Sequence, residues 1–285
     1  MIDNKAPDKK PPLDWHSAFF DAIRLEFDQY TDVLQFEAEH KLTAASLRID
    51  VLVIKKAPDT VIDTNIARIF KGCNIFEYKN PDDYISVEDF NKVMGYAHIY
   101  AALNSVSITD ISVSFVERAH PRELLAFFRD VLHWTIEERW SGIFIVSGGT
   151  VPIQIIESKK LAEDEYLWLK NLSNDLDSNT ALKMLEEGHK KGKGAPTSAY
   201  MYAILEANLK RVQEIRTMEY MATTLDDWLD EIGLTARAEA KGMAKGMAKG
   251  MAKGMDALVE LIEQGYSPRQ AKEMLENNGI HGNHS

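Results

Sequence analysis

Apolar residues fall at helical spacing first and at alternating spacing soon after. From Asp14 to Tyr30, Phe19, Ala22, Ile23, Phe27 and Tyr30 share one arc, with Asp21, Arg24 and Asp28 opposite, which predicts an amphipathic helix. Residues 33–42 then alternate, Leu34, Phe36 and Ala38 against Gln35, Glu37 and Glu39, and LRIDVLVI at 47–54 is a β-branched run. The short link Thr43–Ser46 makes these two strands a hairpin. A third strand, CNIFEYK at 73–79, stops at Asn80-Pro81-Asp82-Asp83, because proline cannot join a ladder and the acids favour turns. Ser86-Val87-Glu88-Asp89 resembles a capping box and predicts a helix to about Leu103. Its Phe90, Val93, Met94, Ala97 and Tyr100 form the buried stripe. Strand patterns recur at 110–116, 142–146 and 151–157, with a helix over 121–132 between the first two. This order predicts an α/β fold, a mixed sheet flanked by helices.

Beyond Leu161 the strand signal ends, and 161–172, 180–188, 198–221 and 224–232 read as helices interrupted by the Lys/Gly-rich loop 189–197. The segment KGMAKGMAKGMAKGM at 241–255 repeats every four residues. Each of its glycines costs a helix about 1 kcal/mol relative to alanine, so it reads as a solvated, marginally helical spacer. A homo-oligomer packed through its small-residue stripe and the other C-terminal helices is the alternative. Residues 255–264 and 267–276 make a helical hairpin, ended and restarted by Gly265 and Ser267-Pro268. The predicted organisation is a flexible leader over 1–12, a mixed-sheet domain over 13–160, a helical extension over 161–235, the repeat over 236–255 and the hairpin over 256–279.

A few charged residues sit where a packed core would reject them. Glu26 falls inside the apolar arc of the first helix, Asp50 lies on the second strand opposite the apolar face of Leu47, Ile49, Val51 and Val53, and Glu77 and Lys79 share a face of the third. Desolvating such groups costs several kcal/mol per ion unless they are paired, hydrated or metal-bound. On its own Glu77/Lys79 is a surface ion pair on an edge strand. If strand three pairs with strand two, Asp50 joins them, and the two carboxylates suit a hard divalent cation such as Mg²⁺, with Mn²⁺ or Ca²⁺ as substitutes. Such an ion polarises a phosphodiester while a lysine orients or deprotonates the attacking water. Lys92, Tyr96 and Tyr100 are candidates for a substrate groove, and Lys190, Lys191 and Lys193 for a phosphate contact. His40, His98 and His120 are isolated histidines, read as packing or surface residues.

Composition narrows the setting. The chain has 285 residues, 45% hydrophobic, enough for a well-formed core. One cysteine, Cys73, excludes an internal disulfide or a thiolate cluster and fits a reducing compartment. The polar, proline-rich start and the absence of any apolar run near 18 residues predict a soluble cytoplasmic protein without membrane contact. A formal net charge of −11 weighs against passive nucleic-acid binding, where a basic footprint supplies most of the affinity. Bound cations and a local basic rim can offset that field.

RIDVLVIKK at 48–56, NIFEYKNPDDYISVEDFNKVMGYAHIY at 74–100 and VPIQIIESKKLAEDEYLWLKNL at 151–172 resemble the Rpn family, recombination-promoting nucleases and transposase-like proteins of the PD-(D/E)XK superfamily. The resemblance implies a restriction-endonuclease-like core over 13–160 and a Mg²⁺-dependent DNA endonuclease linked to recombination or mobile elements. It implies Asp50, Glu77 and Lys79 as catalytic residues. The metal would rest on Asp50, Glu77 and the main-chain carbonyl of Tyr78, with Glu26 as the first-helix acid some members use. Ile49 stands where many members carry proline, and the long connection from Asp50 to Glu77 implies an insertion. The alternative is a catalytically inactive PD-(D/E)XK-like module acting in binding or assembly.

Overall fold

The computed structural model describes residues 13–42, 47–57, 60–191, 198–208 and 211. Helix α1 (Trp15–Glu26) starts at Asp14, whose side chain accepts from the Ser17 amide. It is followed by β1 (Leu34–Lys41) and β2 (Arg48–Lys55), paired antiparallel, and by β3 (Cys73–Tyr78), antiparallel to β2. Helix α2 (Val87–Asn104) crosses over to β4 (Ile111–Glu117), parallel to β3. The helix α3 (Arg122–Ala126) runs into a π-turn over Phe127–Val131, then come β5 (Thr135–Trp140), β6 (Ile143–Ser147) and β7 (Ile153–Glu157). Strand β7 returns parallel to β4, and the seven strands form one sheet in the order β1-β2-β3-β4-β7-β6-β5.

The mixed α/β architecture agrees with the pattern of the sequence, and Glu77 belongs to an inner strand rather than an edge. Side chains alternate about β3 as expected: Cys73 and Ile75 pack with Val113, Phe115, Ile153 and Ile155 against Phe90, Val93, Ala97 and Tyr100 of α2. On the other face Phe19 of α1 stacks on Tyr78, with ring centroids 4.4 Å apart. The capping box of α2 is complete. Ser86 accepts from the Asp89 amide, and the Asp89 carboxylate accepts from the Ser86 amide.

A buried polar network explains how the long β2–β3 connection is held. Asn74 Oδ1 accepts from the Lys71 amide and from Ser112 Oγ, both at 2.7 Å, while its Nδ2 donates to the Val53 carbonyl. Gln154 Nε2 donates to the Ile66 carbonyl and to Ser114 Oγ, each at 2.8 Å. The connection, with its 3₁₀ turn Asn65–Ile69, is thereby pinned to the middle of the sheet by Asn74 and by Gln154 Nε2, while Gln154 Oε1 and Thr64 Oγ1 are buried without a partner.

Four differences from the sequence pattern have physical causes. Strand β5 (TIEERW) was not predicted, because its Glu137, Glu138 and Arg139 are exposed at the sheet edge and a bulge breaks the alternation. The β5–β6 turn holds Gly142 at φ +76°, where a Cβ would lie 2.7 Å from the Glu157 carbonyl oxygen. The helix expected over 161–172 is reduced to α4 (Leu167–Lys170). The boundary expected near residue 160 is not a packing boundary: α4, α5 (Ser178–Lys190) and α6 (Ser198–Ala207) continue the same compact unit. Tyr200 of α6 is fully buried and donates its hydroxyl to the Trp168 carbonyl, and Asp21, predicted on the solvent side of α1, accepts from the Ala199 and Tyr200 amides. Helix α1 is therefore covered on two sides, by the sheet and by the later helices. The predicted helix over 198–221 is described only to Ala207, and the 224–232 helix, the glycine repeat and the terminal hairpin lie outside the described residues.

Candidate metal centre

The antiparallel register that pairs Val51 with Phe76 puts Asp50 opposite Glu77 at the next step. Asp50 then completes the ladder with its side chain, Oδ2 accepting from the Tyr78 amide at 2.9 Å. Directly opposed residues on one face of a sheet hold their Cβ atoms about 5 Å apart, so the two carboxyl groups are neighbours. The Lys79 amide donates to the Val116 carbonyl on β4 at 2.9 Å, and a trans peptide places its oxygen opposite its N–H, so the Tyr78 carbonyl points toward β2 and Asp50. Of the four oxygen donors that the resemblance implies, Asp50, Glu77 and the Tyr78 carbonyl therefore lie at one end of the β2–β3 ladder.

Both carboxyls are electrostatically strained. Glu77 is 4% exposed, and burial, followed by the charge of Asp50, raises its pKa, with Lys92 and Lys79 opposing. Burial likewise raises Asp50, against the Tyr78 N–H, His16, Lys92 and Lys79. A pair of like charges this shielded favours a proton or a cation between them.

One carboxylate, Asp89, touches both lysines. Lys79 Nζ lies 2.8 Å from Asp89 Oδ1, and Lys92 Nζ lies 3.2 Å from the same oxygen and 2.7 Å from Glu77 Oε1. Asp89 thus caps α2 and bridges both ammonium groups, and although burial opposes ionisation, the Lys79 and Ser86 bonds pull its pKa down to about 2. Lys92, offered by the sequence as a groove residue, sits at the carboxylates, whereas Tyr96 and Tyr100 belong to the core.

Glu26 is not brought to this cluster. Its Oε1 accepts from the amides of Trp168 and Leu169, 2.7 and 2.8 Å away, at the start of α4. The end of α1 near Asp50 is instead the opposite one, where His16 Nε2 lies 3.7 Å from Asp50 Oδ2. Ten residues of helix, about 15 Å, separate His16 from Glu26. The helical arc placed Glu26, which is half-buried, among apolar residues and could not say that backbone amides from residue 168 onward would meet it.

A second acidic row continues along the carboxyl ends of the parallel strands. Glu117 and Glu157 are opposed in the β4–β7 register and both buried. Glu117 Oε2 accepts from the Ile85 amide at 2.8 Å, and burial, with added repulsion from Glu157 and Asp83, raises its pKa to about 7. Glu157 Oε2 meets Lys160 Nζ and His120 Nδ1, each at 2.9 Å. His120 is therefore partnered; Lys190 and Lys191 pair with Glu187 and Asp28, and Lys193, the third residue proposed for a phosphate contact, lies outside the described residues.

Among the described residues no cluster of three or more His, Cys, Asp or Glu side chains is disposed to hold an ion. A cation at Asp50 and Glu77 would rest on two carboxylates, the Tyr78 carbonyl and waters, a donor set of hard oxygens that fits Mg²⁺. Among the described residues, too, no helix is long and apolar enough to cross a membrane. No protein-family model, curated protein or solved structure matches the chain.

Proposed function

We propose that the chain is a Mg²⁺-dependent DNA endonuclease of the PD-(D/E)XK type, as its resemblance to the Rpn family implies. The observation that carries this reading is the placement of Asp50, Glu77 and the Tyr78 carbonyl at the end of the β2–β3 ladder, with Lys79 directly after β3. Asp50 and Glu77 would hold the divalent ion, which supplies charge stabilisation at the phosphodiester. Lys79, tethered by Asp89, would orient the attacking water and the non-bridging phosphate oxygens. The carboxyl ends of parallel strands, where β3 ends beside β4, are where α/β sheets commonly place ligands.

One observation favours the second reading, an inactive module of the same fold used in binding. Every lysine of the cluster is already ion-paired, Lys79 to Asp89 and Lys92 to Glu77, as a purely structural network would require. Cleavage of supercoiled plasmid separates the two. Wild type with Mg²⁺ is expected to nick and linearise it, EDTA to stop the reaction, and Asp50→Ala and Lys79→Ala each to lower the rate at least about 100-fold, the scale of losing a main electrostatic contributor. Equal cleavage by all three proteins would identify a contaminant, and none by any would favour the binding module.

A further inference from the structure

Lys92 is the side chain whose position the cleavage chemistry leaves unexplained. It rises from α2 with 40% of its side chain exposed, yet its Nζ reaches 2.7 Å from an oxygen of Glu77, whose side chain is only 5% exposed. Lys92 is therefore the positive charge in direct contact with the carboxylate that a cation would need. The same ammonium lies 3.2 Å from Asp89 Oδ1, so a second carboxylate is already within reach. We propose that Lys92 is a built-in counter-cation for Glu77, which an incoming divalent ion displaces onto Asp89, so that Lys92 sets the affinity and the occupancy of the metal centre. This rests on the metal-centre reading above.

The physical case has three parts. A buried carboxylate facing a second one needs a positive partner when no metal is bound, and Lys92 supplies it. A lysine ammonium is a compact charge on a flexible stem, so it can leave without disturbing the sheet, and the Lys92 side chain is already partly in solvent. Asp89 is fixed by its bonds to Ser86, so the displaced ammonium keeps a rigid acceptor and the exchange leaves no buried charge unpaired. By contrast Lys79 makes no bond to Glu77, its Nζ being held by Asp89 with Asp83 at 3.9 Å. The competition is specific to Lys92.

Binding of Mn²⁺ to the full chain, followed by the electron paramagnetic resonance of the free ion at pH 8, tests the proposal without reference to cleavage. Lys92→Met removes the competing charge and is expected to bind Mn²⁺ about tenfold more tightly than wild type, as one unit charge within a few ångströms can readily account for. Lys92→Gln is expected to behave alike and serves if the methionine variant does not fold, as judged by circular dichroism. Lys92→Arg keeps the charge and is expected to stay within about twofold of wild type. Asp50→Asn is expected to weaken binding in every background. If the Met and Gln variants bind no more tightly than wild type while Asp50→Asn still weakens binding, the counter-cation role is overturned and the metal centre stands. If Asp50→Asn changes nothing, or no protein binds Mn²⁺, the metal-centre reading itself fails.

Discussion

Asp50 and Glu77 are costly residues for an inner pair of strands, and each cost is met by a specific group. The Tyr78 amide, which β2 would otherwise have satisfied through its backbone, bonds the Asp50 carboxylate, and Lys92 bonds Glu77. Glu26 meets a different demand. Helix α4 begins with amides that have no partner in its own backbone, and the partly buried Glu26 oxygen accepts two of them. Burial pushes its pKa up to about 8, so the folded protein holds this proton from the ordinary carboxylate range up to about that value. Its contribution therefore declines as pH rises from about 4.5 to 8, because the unfolded chain ionises first. Glu26→Gln keeps the acceptor oxygen without the charge. Its thermal midpoint is expected to fall less than that of wild type between pH 5 and 8.5, with a relative gain on the order of 1–2 kcal/mol after allowing for residual exposure. Glu26→Ala is expected to be destabilised at both pH values by about 1–3 kcal/mol, two amides losing their acceptor. A melting series across pH reads both effects, and a Glu26→Gln protein that tracks wild type at every pH would refute this role.

At the scale of elements, the sheet and the α2 crossover do the positioning, and α2 is the piece that joins the fold to the site. Its N-terminal capping box and its hold on Lys79 and Lys92 share one residue, Asp89. Ser86→Ala is expected to cost about 1 kcal/mol, the usual value of a lost N-cap, and to lower the thermal midpoint by about 2–4 °C. Asp89→Ala is expected to cost more, since it also strips the bridge between two lysines; an equal loss in the two variants would mean that the bridge adds no stability. Much of this was legible in the sequence. The hairpin, β3 and α2 announce themselves because apolar alternation, the Pro81 break and the Ser86–Asp89 spacing are local signals. Asp50 and Glu77 stood out for the same reason, as acids in β-branched company. What stayed hidden depends on contacts distant in sequence. Strand β5 has charges on its exposed edge and no clean period, the Glu26 carboxylate meets amides more than a hundred residues away, and nothing around His16 marks it as the neighbour of Asp50. Asp21 looked solvated because α1 has a polar face. That face is covered by α6, whose first amides Asp21 caps.

For the molecule as a whole, charge is the property that the proposed activity must overcome. A formal net charge of −11 opposes a polyanionic substrate, and the described carboxyl ends of β3, β4 and β7 add Glu77, Glu117 and Glu157 to that field. Within this setting a divalent ion at the proposed centre would do two jobs, relieving repulsion between Asp50 and Glu77 and offsetting the field where a phosphate would approach. Whether that ion occupies the end of the β2–β3 ladder is therefore the central question. It is answered most directly by anomalous diffraction from crystals of the protein grown with Mn²⁺. The expected result is a Mn²⁺ peak bound by the carboxylates of Asp50 and Glu77 and the Tyr78 carbonyl, absent from crystals of Asp50→Asn. A map with no peak there, with Glu77 still bonded to Lys92 at saturating Mn²⁺, would contradict the account.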